Sequence, residues 1–231
     1  MNETKYRHEL KFILSSSQAI ILKHRLAFIM EYDEMAVNKD HSYHIRSLYF
    51  DDIENSAYYD KIEGISERDK YRIRLYNSDD SFIVLEKKSK NRDLVNKTQA
   101  KVTKSECLNL VQGYGNLDYN KMNEPLKEMI KKMEEKHLVP SVIVEYKRLA
   151  YTYAIEDVRV TFDEKVTSGR FDYNLFSKDV QMYDILENNQ TILEVKFNKN
   201  IPSHIASIIM SIPSLRLAAS KYTYCFEKKE M

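Results

Sequence analysis

Several segments of this 231-residue chain put long charged side chains on one face of a two-residue alternation. In 71–76, Tyr71, Ile73 and Leu75 alternate with Arg72, Arg74 and Tyr76. In 158–163, Val158, Val160 and Phe162 oppose Arg159, Thr161 and Asp163, and in 191–198, Leu193, Val195 and Phe197 oppose Glu194 and Lys196. Ile83 and Leu85 oppose Glu86 and Lys88, Leu10 and Phe12 oppose Arg7, Glu9 and Lys11, and Tyr146 shares a face with Arg148. Arginine forks bind phosphate oxygens two at a time, and lysines hold them as point charges. These faces therefore carry the side chains that would hold a polyanion. Alternation alone is also what any half-buried antiparallel sheet displays.

Two details favour the sharper reading. The polar positions are Arg, Lys and Glu rather than the Thr, Ser and Gln common on exposed strands, and the helices need an apolar surface to cover. A serine cluster caps a helix over 15–32 that carries Ile21, Leu22, Leu26, Ile29 and Met30. Thr103-Lys-Ser-Glu106 is a capping box, Asn123 and Pro125 open a charged helix over 124–137 with a solvated face, and 205–212 is helical after Pro202. The pattern is α+β, weighted to strands, with no repeat or linker to divide one domain. If helices cover the apolar faces, the charged faces point into a barrel or groove. A ring of cations there repels itself unless a polyanion or counter-ions occupy it.

Composition narrows the class. Lys+Arg 36 against Asp+Glu 35 gives a formal charge of +1, which argues against a surface coated for nucleic acid or anionic lipid. Gly 4 and Pro 4 leave no room for a glycine-rich phosphate loop, so side chains must do the binding. Cys107 and Cys225 form no CxxC and read as reduced thiols; with no apolar span and no signal-peptide core in 1–15, a cytoplasmic protein is expected. Zinc spacings and a Ser or Cys nucleophile motif are missing, His8 falls in an apolar register, and the many tyrosines read as sheet packing.

Eight short motifs then occur in order: Tyr6-Arg-His-Glu-Leu-Lys11-Phe12, Ser47-Leu-Tyr-Phe-Asp51, Tyr71-Arg-Ile-Arg74, Leu85-Glu-Lys-Lys88, Val144-Glu-Tyr-Lys-Arg148, Arg159-Val-Thr-Phe-Asp163, Leu193-Glu-Val-Lys196 and Ser220-Lys-Tyr222. Together they resemble the VTC domain, the polyphosphate polymerase domain of vacuolar transporter chaperone complexes and its stand-alone bacterial relatives, within the triphosphate tunnel metalloenzyme superfamily. The resemblance implies a closed antiparallel β-tunnel with helices outside and a basic lumen. By matching motif, Lys11, Arg72, Arg74, Lys88, Arg148, Arg159 and Lys221 would line it, with Lys196 on the same kind of face. The basic run 86–104 would add Lys97 if it forms two lumen strands, and Tyr146 and Ser220 would offer hydroxyls. Glu194 matches the metal-binding carboxylate, with Glu9 as a second; alternatively Glu194 is an ion-pair partner of the arginines.

Two departures stand out. Hydrolases of the superfamily open with Glu-x-Glu-x-Lys, whereas this chain has Arg7-x-Glu9-x-Lys11. Eukaryotic polymerases carry a further lysine where this chain has Ala218-Ala219, and Arg216 is the nearest substitute. The resemblance implies a polymerase that moves the terminal phosphoryl group of ATP onto inorganic polyphosphate with Mn2+ or Mg2+. The alternatives are a tunnel triphosphatase or polyphosphatase, and a polyphosphate-binding module without catalysis. No nucleic-acid partner is expected; coupling to a membrane would need a separate protein.

Overall fold

The computed structural model describes residues 7–36, 38–92, 94–115, 117–187, 189–216 and 220–230. Ala218 and Ala219, and the side chain of Arg216, lie outside the described residues. The N-terminal third runs β1 (Arg7–Leu14), α1 (Ser16–Ala27), β2 (Glu31–Tyr32), β3 (Ser42–Asp51) and α2 (Ser56–Ile62). The middle runs β4 (Glu67–Tyr76), β5 (Asp79–Asn91), β6 (Leu94–Val102), α3 (Lys104–Gln112) and α4 (Glu124–Glu135). The rest is β7 (Val139–Tyr153), β8 (Val158–Ser168), β9 (Tyr183–Asp184), β10 (Thr191–Phe197), α5 (Ser203–Met210), β11 (Leu215–Arg216) and α6 (Lys221–Glu230).

Local chemistry starts three helices where the sequence places them. Ser15 and Gln18 close a capping box on α1, Thr103 and Glu106 close one on α3, and Asn123 accepts from the Leu126 amide at α4. The ends differ. The helix expected over 15–32 stops at Ala27, because residues 31–32 are drawn into pairing with β7, Tyr32 opposite Tyr151. Ile21, expected on the packed face, is 45% exposed, while Ala19, Leu22 and Leu26 are buried. In α4, one side is core: Leu126, Met129, Ile130 and Met133 are buried, and the charges occupy the rest. The sequence reading missed α2 and α6. The α2 N-terminus is held by Asp51, whose carboxylate accepts from the Ala57 and Tyr58 amides at 2.9 and 3.1 Å.

All strand pairings are antiparallel, and eight strands form a circuit: β7, β3, β4, β5, β6, β1, β10 and β8, which pairs with β7 again. Among the described residues, the join between β6 and β1 is two residue pairs, Arg7 opposite Val95 and His8 opposite Leu94. His8 stacks on Phe197 at 5.2 Å, as its apolar register predicts. Short β2, β9 and β11 add to β7, β8 and β1.

Three apolar clusters hold the sheet. In one, Leu48, Ile73, Leu75 and Leu85 pack against α3 and α4; in another, Val160, Phe162, Leu193 and Val195 pack against α1 and α5. In the third, Tyr222, Cys225 and Phe226 of α6 pack on Tyr43, Ile45, Tyr49, Val142, Val144 and Tyr146. This third cluster corrects the expectation that helices cover only the faces opposite the charges. Ile45 and Val144 lie on the same strand faces as Ser47 and Tyr146, so part of the charge-bearing face is apolar and α6 covers it. No helix among the described residues is long and apolar enough to cross a membrane.

Candidate functional site: a buried cation cavity

Alternation along the strands delivers the charged side chains to one cavity of about 90 Å³. Strand β4 contributes Lys70, Arg72 and Arg74; β1 and β5 contribute Lys11 and Lys88; β7 contributes Tyr146 and Arg148; β10 contributes Glu194 and Lys196. Tyr49 comes from β3, and Ser220, Lys221 and Tyr222 come from the start of α6.

Four internal carboxylates answer the repulsion that such a ring would suffer. Glu86, with 0% exposure, lies 2.7 Å from Arg72, 3.4 Å from Arg74 and 3.3 Å from Lys97. Asp163 takes both arms of the Arg148 guanidinium at 2.6 and 2.7 Å, and Lys221 at 2.5 Å. Glu194 lies 2.7 Å from Lys221, 3.2 Å from Lys196 and 3.5 Å from Lys11. Glu9 pairs with Lys88 at 2.7 Å and Lys11 at 3.2 Å. Hydroxyls complete the arginine contacts: Arg72 donates to Tyr49 at 2.7 Å, and Arg74 donates to Ser47 at 3.2 Å and Tyr146 at 3.3 Å.

Burial and the opposite charges nearby compete at these groups, and the winner differs. Burial disfavours an ionised Glu86, yet Arg74, Arg72 and Lys97 outweigh it and hold the carboxyl well below the ordinary range. Burial is likewise outweighed at Asp163 by Arg148 and Lys221, and at Glu194 by Lys221, Lys11 and Lys196. Lys11 and Lys221 remain firmly charged because their carboxylates exceed the cost of burial. Lys88 goes the other way: burial, aided by Lys11 and Lys196 and only partly offset by Glu9, brings it down to about 8.

Of the residues singled out from sequence, Lys11, Arg72, Arg74, Lys88, Tyr146, Arg148, Glu194, Lys196, Ser220 and Lys221 line the cavity. Three stand off its wall. Lys97 is 46% exposed and approaches through Glu86; Glu9 sits behind Lys11 and Lys88; Arg159, 33% exposed, pairs with Asp33 at 2.8 Å and Tyr43 at 2.9 Å. Glu194 shares Lys221 with Asp163, so two carboxylates answer one lysine. Lys70, Glu86 and Asp163 were readable in principle: each falls in the register of an arginine already noted on its strand or its neighbour. Tyr49 and Tyr43, taken as sheet packing, also hydrogen-bond arginines. Arg7, standing where the hydrolases carry their first acid, pairs with Asp157 at 2.6 Å and is not among the cavity residues.

The donor set suits a hard divalent cation whose shell is completed by phosphate. Among the described residues no three His, Cys, Asp or Glu side chains cluster as a closed metal site. Glu194 and Glu9 lie on adjacent strands, opposite Lys11 and Lys196 in the β1–β10 register, and the buried Glu9 Oε1 atom has, among the described residues, only the Lys11 ammonium, 3.2 Å away, as a partner. One or two such carboxylates are what Mg2+ or Mn2+ uses when phosphate oxygens and water supply the rest.

An antiparallel strand circuit whose buried face carries paired cations defines an α+β protein of the triphosphate tunnel metalloenzyme-like fold. The VTC domain model matches residues 6–228, and the chain belongs to the VTC domain family. Among solved structures, it is similar to the adenylyl cyclase candidate HpAC1 from Hippeastrum, described as having a dominant triphosphatase activity, with 13% identity over 97% of this chain and 95% of that one and a TM-score of 0.57. The PH1819 protein from Pyrococcus horikoshii follows at 11% identity over 96% and 99%, TM-score 0.48. An adenylate cyclase candidate from Bacillus halodurans aligns at 12% identity over 90% and 87%, TM-score 0.49. No curated protein matches the chain.

Proposed function

We propose that the strand circuit is a tunnel with a basic lumen and that the protein is a polyphosphate polymerase. The observation that carries this reading is the convergence of eight cations on one cavity, seven of them held by an internal carboxylate that an anion can replace. The open volume of about 90 Å³ is roughly three waters' share of liquid at ~30 Å³ each. A phosphate chain would therefore enter by drawing the lysines and arginines off their carboxylates. Family membership supports the same substrate class.

Phosphoryl transfer asks little covalent work of the protein and much positioning and neutralisation. Arg72, Arg74, Lys88 and Arg148 hold the phosphates of ATP and offset charge developing on the transferring group. Arg159 acts from the flank beside Lys196, its partner in the β8–β10 register. Lys11, Lys196 and Lys221, with the Tyr146 and Ser220 hydroxyls, hold the acceptor and product chain, and Lys97 acts from outside the wall through Glu86. An oxygen of the acceptor's terminal phosphate attacks the γ-phosphorus, the bond to the β–γ bridging oxygen breaks, and ADP leaves while the chain grows by one phosphate. That oxygen is already ionised, so no side-chain nucleophile is required. Mn2+ or Mg2+ at Glu194 and Glu9 would supply further neutralisation of phosphate oxygens.

Purified protein incubated with ATP and Mn2+ is expected to give acid-labile chains and ADP. No chains across metals and primers would overturn the reading, and orthophosphate without chain growth would make the protein a tunnel triphosphatase. Salt-sensitive binding without turnover would make it a binding module. Arg74→Ala is expected to lower kcat/KM roughly a hundredfold, the scale of losing one preorganised donor to a transition-state oxyanion. Glu194→Gln is expected to abolish turnover while leaving polyphosphate binding in place.

A further inference from the structure

The cavity's cations are of two kinds. Lys11, Arg72, Arg74, Lys88, Arg148, Lys196 and Lys221 each lie within 4 Å of a carboxylate. Lys70 alone among the described lining cations does not: its Nζ is buried and makes no hydrogen bond. The amine stands over the Tyr222 ring, 4.4 Å from its centroid. That ring is fixed from behind, because the Tyr222 hydroxyl donates to Asp51 and lies 3.3 Å from Ser141 Oγ. A buried ammonium without a counter-ion is a standing cost that an aromatic face offsets only in part. The same strand presents Arg72 and Arg74 in the next two positions of the register, so Lys70 extends one row of phosphate-binding groups.

We propose that Lys70 is the cavity's receiving group for phosphate, its unpaired amine taking a phosphoryl oxygen of the bound chain in place of the carboxylate it lacks. This rests on the polyphosphate reading above. Tyr222 then serves as a platform that holds the amine in position before the anion arrives.

The surroundings give this binding event a signature. Lys70 is faced by Lys11 of β1, Asp51 of β3, Arg68 of its own strand, Lys88 of β5 and Tyr222 of α6. Burial, with Lys11, Arg68 and Lys88, holds its amine well below the ordinary lysine value, and Asp51 offsets only part of this. A phosphoryl oxygen beside the amine reverses the balance, so a proton is drawn from solvent as the chain binds.

The test is calorimetric titration of the full chain with inorganic tripolyphosphate at roughly pH 8, in phosphate-free buffers of different ionisation enthalpy. The buffer dependence reports protons taken up, and the ligand's own protonation is common to every variant. Wild type is expected to take up more protons than Lys70→Arg, whose guanidinium stays charged throughout. Lys70→Arg should bind within a few-fold of wild type, whereas Lys70→Met should bind roughly ten- to a hundredfold more weakly. Equal proton uptake by wild type and Lys70→Arg overturns the proposal, as does wild-type affinity in Lys70→Met. A lowered Tm with unchanged proton uptake and affinity overturns it too, leaving Lys70 as a packing partner of Tyr222. Failure of wild type to bind tripolyphosphate at low salt overturns both this proposal and the polyphosphate reading.

Discussion

Asp163 shows how charge is managed one residue at a time. Its two oxygens serve Arg148 through a two-pronged contact and Lys221 through a third, and all three side chains are buried. Taking one member from a buried group leaves the others short of counter-charge, which costs about 3–5 kcal/mol. Asp163→Asn is therefore expected to lower unfolding stability by about that amount in a urea titration. Saturating tripolyphosphate should then raise Tm further in the variant than in wild type, because the anion replaces the missing charge. An equal Tm shift in both would show that the ligand never reaches Arg148 and Lys221.

At the scale of elements, helix starts written in adjacent residues were legible and those supplied from afar were not. The α1, α3 and α4 caps lie within three residues of the turn they serve. Thr103→Ala is expected to cost about 1 kcal/mol in thermal unfolding without changing turnover, since no residue of α3 is among those lining the cavity. By contrast, α2 is held by Asp51 at the end of β3, and α6 by Tyr222 reaching that same carboxylate. Neither arrangement leaves a local pattern. Tyr222→Phe removes a buried donor from Asp51 and should destabilise by about 1–3 kcal/mol. Because α6 also carries Lys221 into the cavity, this variant should raise KM for the polyphosphate acceptor as well.

For the whole molecule, the formal charge of +1 conceals a buried concentration of both signs. Glu86 gives that interior a pH dependence of definite sign. Its folded-state pKa lies below the unfolded value of about 4.3, so its stabilisation is full above roughly pH 5 and is lost as pH falls through the native value. Unfolding followed from about pH 6 to pH 2 should therefore show stability falling towards acid, and Glu86→Gln should flatten that limb while lowering the plateau. Salt separates the interior from its ligand: buried pairs are screened little, whereas capture of a long polyanion from solution is screened strongly. At about 0.5 M salt, tripolyphosphate binding should weaken at least tenfold while the unfolding midpoint changes little.

The sequence by itself determined the α+β class, the strand faces and, on those faces, eight of the residues that line the cavity, while Ser220 and Lys221 came only from the family resemblance. Side-chain direction along a strand alternates with a period of two, so a lysine or arginine declares its face to its neighbours in the chain. Only the tertiary structure decided which carboxylate neutralises which cation, that α6 covers part of the charged face, and that Arg159 and Lys97 stand off the wall while Lys70 stands on it unpaired. Those outcomes depend on residues far apart in the chain, such as Lys221 and Asp163 or Tyr222 and Asp51. Electrostatic energy between buried groups depends on distance in space and on exclusion of water, and neither is written in the order of residues along one strand.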